Sequence, residues 1–261
     1  MEGPQGRPER PLTLPLASKT ISIAPGEEET LFDRPFDDIE DYLSLHRFAW
    51  LPVAGDDVDP VWVGALWKGW RTAHGVPGSG WSWHPYTASE RLVNILDYAK
   101  QRGLPHPMND TLSILGIHGP AIFEQLEYFG EHNTGNHLAN NGRGLYLGGL
   151  ALGIDDWVDV GGKILTEEAK RIFEPSGILR EGSSHYHLLL TRSYAECWLA
   201  AKAGARTEAA ALEAITQKAL SVIPALSLPG RFSLIGDISP DCPPQHFSGL
   251  IDPADTTGWN G

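Results

Sequence analysis

Cysteine is scarce in this chain, and its sequence has no long apolar run. Only Cys197 and Cys242 occur among 261 residues, too few for a disulfide framework or a cysteine-rich zinc site. No stretch of about 18 apolar residues appears, which excludes a membrane-spanning helix. The first residues lack an apolar segment behind a basic patch, so we expect no signal peptide and a cytoplasmic location.

Positive charge is also in short supply. Lys and Arg number 20 against 33 Asp and Glu, which gives a formal net charge of -13. Nucleic acid is excluded as a partner, because such affinity comes from the neutralisation of phosphates by Lys and Arg. An acidic substrate would have to be bound locally by a few Arg, Lys, His or amide groups, since the field of the whole chain repels it.

Helical periodicity dominates what the sequence does contain. Roughly seven or eight segments show apolar residues at helical spacing, and no ladder of strands is evident. Thr87-Ala-Ser-Glu90 has the spacing of a capping box, and Asp59-Pro60 is typical of a helix start. Gly119-Pro120 and Gly161-Gly162 are candidate interruptions. We predict an all-α fold, an incomplete α/α toroid of antiparallel helical hairpins.

Three regions are predicted along the chain. Residues 1–34 are rich in Pro and are expected to form an extended arm with a short strand. Residues 35–245 carry the helical periodicity and form the main domain. Residues 246–261 are rich in Gly, Asp and Pro, and we expect them to lead toward a further domain that this sequence does not contain.

Two predicted helix starts are rich in polar side chains. The first lies in the stretch 134–153, and its polar side chains are Asn136, His137, Asn140, Asn141 and Arg143. The second is Arg180-Glu-Gly-Ser-Ser-His-Tyr-His187. Each opens an apolar-periodic segment, so we predict that both first turns face a shared cleft. A simpler alternative stays open, in which Asn136 and Asn140 cap the helix and Tyr186 is a core aromatic residue.

Known metal and phosphate motifs are absent from the sequence. No His-Glu-x-x-His occurs, and His185 and His187, two residues apart, would point to nearly opposite sides of a helix. The glycines at 142–144 and 148–149 do not follow a predicted strand, and no Gly-x-Ser-x-Gly is present. We therefore expect no metal and no cofactor within this chain.

Asn, His and Tyr together suit β-elimination in a uronic-acid polysaccharide. The carboxylate must be neutralised or hydrogen-bonded before the neighbouring proton can leave, and an Asn amide and a His can do this. A base and an acid complete the reaction, and Tyr can serve as either if nearby positive charge lowers its pKa. The candidate sources of that charge are Arg180, Arg192, His185 and His187.

At these residues the chain resembles the heparinase II/III-like polysaccharide lyases. The motifs that carry the resemblance are Asn136-His-Leu-Ala-Asn-Asn-Gly142, Gly177-x-x-x-Glu-Gly-Ser-Ser-His-Tyr-His187, Tyr86-x-x-Ser-Glu-Arg91 and Ile235-Gly-Asp237. The resemblance covers roughly residues 35–245 and implies the N-terminal α/α-toroid domain of that family. Family members continue into a β-sandwich domain, which closes the cleft and in some members binds zinc. Many are exported, so the resemblance also allows a periplasmic location.

The resemblance implies roles for individual residues. Asn136 and His137 would neutralise the uronate carboxylate, with His137 a base for substrates of one C5 configuration, and Tyr186 would be the catalytic base and acid. Glu181 and Arg91 would hold the site, although a surface ion pair or a cap is an equally good interpretation of these two. The other residues assigned to substrate binding are Asn140, Arg143, His185, His187 and Trp83.

The leading hypothesis is thus a lyase that cleaves an acidic, uronic-acid-containing polysaccharide. One alternative is a glycoside hydrolase on the same toroid, with Glu181 and Asp156 as its pair of carboxylates. The other is a non-catalytic polysaccharide-binding or assembly module. Its stacking platforms would be Trp62, Trp67, Trp81 and Trp83.

Overall fold

The computed structural model describes residues 1–54, 58–130, 135–228, 231–247 and 249–251. Within them the chain forms nine α-helices and two small antiparallel hairpins, which confirms the predicted all-α class. None of the described helices is both long and apolar enough to cross a membrane. Contacts group the chain into two compact units, residues 1–125 and residues 126–261, and each is described by itself. The predicted domain bounds stay a prediction.

The first unit opens with a hairpin, whose second strand, Thr20–Ile23, lies where the short strand of the N-terminal arm was expected. Its helices and strands are β1 (Leu12–Pro15), β2 (Thr20–Ile23), α1 (Ile39–Arg47), α2 (Trp50–Ala54), α3 (Pro60–His74), α4 (Pro85–Arg102) and α5 (Met108–Glu124). The hairpin is fastened to α1, because Ser18 donates from its backbone N–H and its hydroxyl to the two oxygens of Asp41, at 2.8 Å each. Leu14 and Ile23 are buried beneath it.

The second unit is built from two helical hairpins. Its elements are α6 (Asn136–Leu152), α7 (Asp155–Ile172), α8 (Ser184–Ala203), α9 (Ala209–Leu226), β3 (Ser227–Leu228) and β4 (Arg231–Phe232). Two residues join α6 to α7, so these packed helices run antiparallel. Their core is apolar around Tyr146, Leu165 and Tyr194. Of the predicted tail at 246–261, residues 248 and 252–261 lie outside the described residues.

Glycines bring the backbones of α6 and α7 into contact. A Cβ on Gly161 would lie 2.5 Å from the backbone nitrogen of Tyr146 and 2.7 Å from the carbonyl oxygen of Gly142. Gly161-Gly162 is a candidate interruption in the sequence, but α7 is continuous through both glycines. This glycine pair is the point where the helix fits closest against its neighbour. Gly119-Pro120 does not interrupt α5 either, because Ala121 and Ile122 are buried beyond the proline and hold the last turn in place.

Two predicted helix starts have different outcomes. The capping box at Thr87 is wrong, because α4 already begins at Pro85, whose fixed φ suits the first helical position, and Thr87 is a buried residue inside the first turn. The start at Asp59-Pro60 is confirmed. There the carboxylate of Asp59 accepts from the backbone N–H of Val61 at 2.9 Å.

Replacing Asp59 by Ala is expected to destabilise the protein. The substitution removes the acceptor for a backbone N–H at the start of α3, which costs about 0.5–2 kcal/mol at helix N-caps. Urea unfolding of the Asp59→Ala and Asp59→Asn variants measures it, since Asn retains a capping oxygen. Equal midpoints for the two variants would contradict the capping role.

Candidate active site

His137, in the first turn of α6, is paired with a carboxylate that the sequence analysis did not identify. Its ring is about half exposed, at 54%, and its Nδ1 lies 2.6 Å from Oε1 of Glu127. Asn141, one turn further along α6 and fully buried, contacts Glu127 twice. Its Oδ1 accepts from the backbone N–H of Glu127 at 3.2 Å, and its Nδ2 donates to Oε2 at 3.3 Å. Glu127 therefore holds the ring of His137, and Asn141 holds Glu127.

The two asparagines beside His137 are not caps. Gly135, in an extended conformation, occupies the N-cap position and supplies no side chain, so the capping alternative for Asn136 and Asn140 is wrong. Asn136 is half-buried in the first turn, and Asn140 is buried. Asn136 is thus the better placed of the two amides to meet a ligand.

Tyr186 lies in the first turn of α8, and a downstream segment completes that turn. The cap is Ser183, whose Oγ accepts from the backbone N–H of Tyr186 at 2.9 Å and donates to the carbonyl of Asp237 at 2.6 Å. Ser184 donates from its backbone N–H to the carbonyl of Ile235 at 2.9 Å. The structure thus explains the motif Ile235-Gly-Asp237. Its backbone binds the start of α8 and brings the side chain of Asp237 there.

Gly236 makes this docking geometry available. Its φ is +77°, a region that favours glycine, and a Cβ there would lie 2.9 Å from the carbonyl oxygen of Gly182 and 2.9 Å from Cα of Ser183. Any larger residue would push the segment away from the helix start.

The electrostatic surroundings of Tyr186 are acidic. Partial burial, followed by the nearby carboxyls of Asp237, Glu181 and Asp241, raises the pKa of Tyr186 to about 12. At neutral pH the phenol is therefore protonated, and it is available as a proton donor.

The expectation that positive charge lowers the pKa of this phenol is wrong among the described residues. Arg180 pairs with Glu174 at 2.6 Å, and Arg192 pairs with Glu196 at 3.1 Å. His185 and His187 are neutral at pH 7, because burial lowers the pKa of each.

Glu181 lies just before α8, and it interacts electrostatically with residues of both helix starts. It stands two residues before the cap of α8, and its own pKa is raised by partial burial of the carboxyl and by Asp237. His137 acts in the opposite direction and lowers that pKa, while Glu181 in turn raises the pKa of Tyr186. The pKa of Glu181 therefore responds to His137, and the pKa of Tyr186 responds to Glu181. That both helix starts face a shared cleft stays a prediction.

His185 and His187 have their ring nitrogens engaged inside the fold. Nδ1 of His185 accepts from the backbone N–H of Ser239 at 3.3 Å, so its Nε2 is the donor to the carbonyl of Cys242 at 3.0 Å. His187 accepts likewise from Leu179 at 3.3 Å and donates to Ala219 at 3.0 Å. Both rings are buried, which argues against the predicted contact with substrate. His185 joins α8 to the segment 239–242, and His187 joins it to Leu179 and to α9.

Arg143 belongs to an enclosed ion-pair cluster. Its Nε and Nη2 donate to Oε2 of Glu196 at 3.0 and 2.7 Å, and only 7% of its side chain is exposed. Burial together with Arg192 and Arg143 lowers the pKa of His246 to about 3. A role for Arg143 in substrate binding stays a prediction, and its burial places it behind the surface.

Arg91 and Trp83 lie in the first unit and are buried. The guanidinium carbon of Arg91 is 3.9 Å from the ring centre of Trp70 and 4.9 Å from that of Trp83. Its Nε donates to Nε2 of His118 at 3.0 Å, and Nη1 donates to the carbonyl of Ser82 at 2.7 Å. Arg91 is thus neither the surface ion pair nor the cap of the simpler interpretation. It is a cation enclosed by aromatic rings, which organises the core of its unit.

Two features that the alternative hypotheses needed are not found. Trp62, Trp67 and Trp83 are buried and cannot stack on a sugar, whereas Trp81 is 54% exposed. Asp156 is exposed in the first turn of α7, and the acidic residue that acts on Glu181 is Asp237 instead. Among the described residues, no group of three or more His, Cys, Asp and Glu side chains is arranged to hold a metal ion.

No protein-family model matches this sequence, and no curated protein does. Solved structures do resemble it. A crystal structure of heparinase III has 19% sequence identity and a TM-score of 0.63, over 77% of this chain and 34% of that one. The heparan sulfate lyase HepC from Pedobacter heparinus has 17% identity and a TM-score of 0.57, over 78% of this chain and 35% of that one.

These similarities show the fold. The predicted resemblance to the helical toroid domain of heparinase-like proteins is confirmed at that level. The chain spans about a third of the length of the solved structures that it matches. Activity and substrate therefore have to be argued from the site itself.

Proposed function

We propose that this chain is the helical part of a lyase that cleaves an acidic, uronic-acid-containing polysaccharide by β-elimination. The observation that carries the proposal is a half-exposed His137, held by a carboxylate in the first turn of α6, together with a protonated Tyr186 in the first turn of α8. Similar folds in proteins described as heparinase III and as a heparan sulfate lyase support a glycosaminoglycan-like substrate.

The proposed chemistry divides proton transfer between two side chains. The amide of Asn136 donates a hydrogen bond to the substrate carboxylate, which stabilises the charge that develops when the C5 proton leaves. Nε2 of His137 takes that proton. The C4–O bond then breaks, a C4–C5 double bond forms, and the phenol of Tyr186 protonates the departing oxygen.

This division changes the role expected for Tyr186. The family resemblance implies both base and acid at that residue, whereas a pKa of about 12 favours the acid step. His137 is then the base.

The reaction product tests the proposal. The chain, alone and within any longer natural reading frame, is incubated with alginate, heparan sulfate, hyaluronan and bacterial exopolysaccharides, and the absorbance of the enol ether is followed. We expect one of these polymers to give unsaturated sugar ends. If none yields an unsaturated end with either form of the protein, the lyase proposal fails.

A second candidate function is glycoside hydrolysis. It is favoured by the pKa of Glu181, which burial and then the carboxyl of Asp237 raise, since a carboxyl group with a raised pKa is typical of a general acid in such enzymes. Hydrolysis would give new reducing ends without a double bond. Mass spectrometry of the products separates the two reactions, because a hydrolysed fragment is heavier by one water.

A further inference from the structure

Glu127 takes no part in the proton transfers described so far, yet it makes a short polar contact with His137. Its Oε1 lies 2.6 Å from Nδ1 of His137. Only 10% of the Glu127 side chain is exposed, against 54% for His137. A substrate can therefore reach the imidazole, while the carboxylate lies behind it.

The orientation of this carboxylate is fixed from its other side. The fully buried Asn141 accepts from the backbone N–H of Glu127 and donates to its Oε2, so the residue is held through both its main chain and its side chain. Because Asn141 and His137 stand one turn apart on α6, they address the two oxygens of the same carboxylate. The carboxylate that faces Nδ1 of His137 is therefore held in one orientation.

We propose that Glu127 is a positioning residue for His137, an inference that rests on the proposed function. A carboxylate acceptor at Nδ1 keeps the proton of the neutral ring on that nitrogen, so the lone pair is on Nε2. The ring is then the base in the correct tautomer before substrate arrives. This is the part that an acidic residue plays behind the histidine of a nucleophilic triad.

The same carboxylate stabilises the charge that the reaction creates. When Nε2 takes the C5 proton, the ring becomes an imidazolium, and the negative charge of Glu127 faces it across the Nδ1 hydrogen bond. No proton moves to Glu127. The electron pair of the C5–H bond forms the new double bond, and the proton of Tyr186 goes to the leaving oxygen, so atoms and charge balance.

The first experiment measures turnover of the Glu127→Gln variant, which keeps the size and an acceptor oxygen for the ring but removes the charge and the acceptor for the Asn141 amide. We expect kcat to fall about 10- to 100-fold with KM little changed, since the lost attraction acts only once the ring is charged. Glu124→Gln, an exposed carboxylate three residues earlier, is the matched control and should retain full activity. Wild-type kcat in a folded Glu127→Gln variant would overturn the proposal.

The second experiment does not depend on activity. ¹⁵N NMR of ring-labelled protein, at a pH where the ring is neutral, reports which nitrogen of His137 carries the proton, and His137→Gln identifies the signals. We expect the Nδ1–H tautomer in the wild type and a shift toward Nε2–H in Glu127→Ala. An unchanged tautomer in that variant would reject the positioning role. If the wild type forms no unsaturated product, the proposed function fails, and the tautomer alone decides the role of Glu127.

Discussion

Replacing Tyr186 by Phe is expected to lower turnover by about 10²- to 10⁴-fold while binding of the polysaccharide is largely retained. The magnitude is that of a lost general acid. The substitution removes the only proton that the ring can give to the leaving oxygen, and it leaves the packing of the ring against the core of the second unit intact. Steady-state rates of enol-ether formation and a separate binding measurement decide it.

Tyr194→Phe is the matched control for this prediction. Tyr194 lies two turns further along α8, where its buried hydroxyl donates to the carbonyl of Leu165 at 2.9 Å. Losing that bond costs about 1 kcal/mol of stability but should leave turnover unchanged. If Tyr186→Phe turns over at the wild-type rate, Tyr186 is not the acid.

The pH profile of the wild type adds a second check on the same residue. The pKa of Tyr186 is raised to about 12 by burial and by its acidic neighbours. The phenol therefore stays protonated from about pH 7 to about pH 10, well below the point at which it would lose its proton. The assignment would be contradicted if the wild type lost activity between about pH 7 and about pH 10 while the residual activity of Tyr186→Phe stayed constant over that range.

Gly161→Ala is expected to destabilise the second unit by about 1–3 kcal/mol, the range for overpacking a tight contact. The new methyl carbon would lie 2.5 Å from the backbone nitrogen of Tyr146, so α6 and α7 must move apart. Because α6 also carries His137, the displacement is expected to lower turnover as well. Thermal unfolding followed by circular dichroism measures the stability term.

The neighbouring glycine provides the control for this substitution. A Cβ on Gly162 would lie 3.4 Å from the ring of Tyr146, which is ordinary contact. Gly162→Ala is therefore expected to stabilise the helix by about 0.5–1 kcal/mol, the usual gain when Ala replaces Gly inside a helix. Equal unfolding temperatures for the two variants would show that the close contact at Gly161 does not hold the helices together.

The sequence predicts those parts of the fold that depend on neighbouring residues. The helix starts at Asp59 and Ser183 are visible because a cap acts on residues two or three positions away. The start at Pro85 is misplaced, since Thr87 has the right spacing for a cap but is buried by the core around it. Burial is a property of the folded unit, and a short pattern does not contain it.

The candidate site follows the same division. Asn136, His137 and Tyr186 stand out because polar residues are concentrated at two helix starts. Glu127 does not, since it lies ten residues before His137, outside both polar helix starts, and only the folded chain brings its oxygen to the ring. The acidic surroundings of Tyr186 were also missed, because Asp237 is distant in sequence and reaches it through Gly236.

The docking of Ile235-Gly-Asp237 on the start of α8 has a consequence for biosynthesis. Ser183 and Ser184 bond to partners 54 and 49 residues further along the chain. Loops of this length close slowly, and the partner residues leave the ribosome only after all of α9. During translation α8 therefore emerges with an incomplete first turn, and the acidic surroundings that raise the pKa of Tyr186 form only after residue 237 has been made.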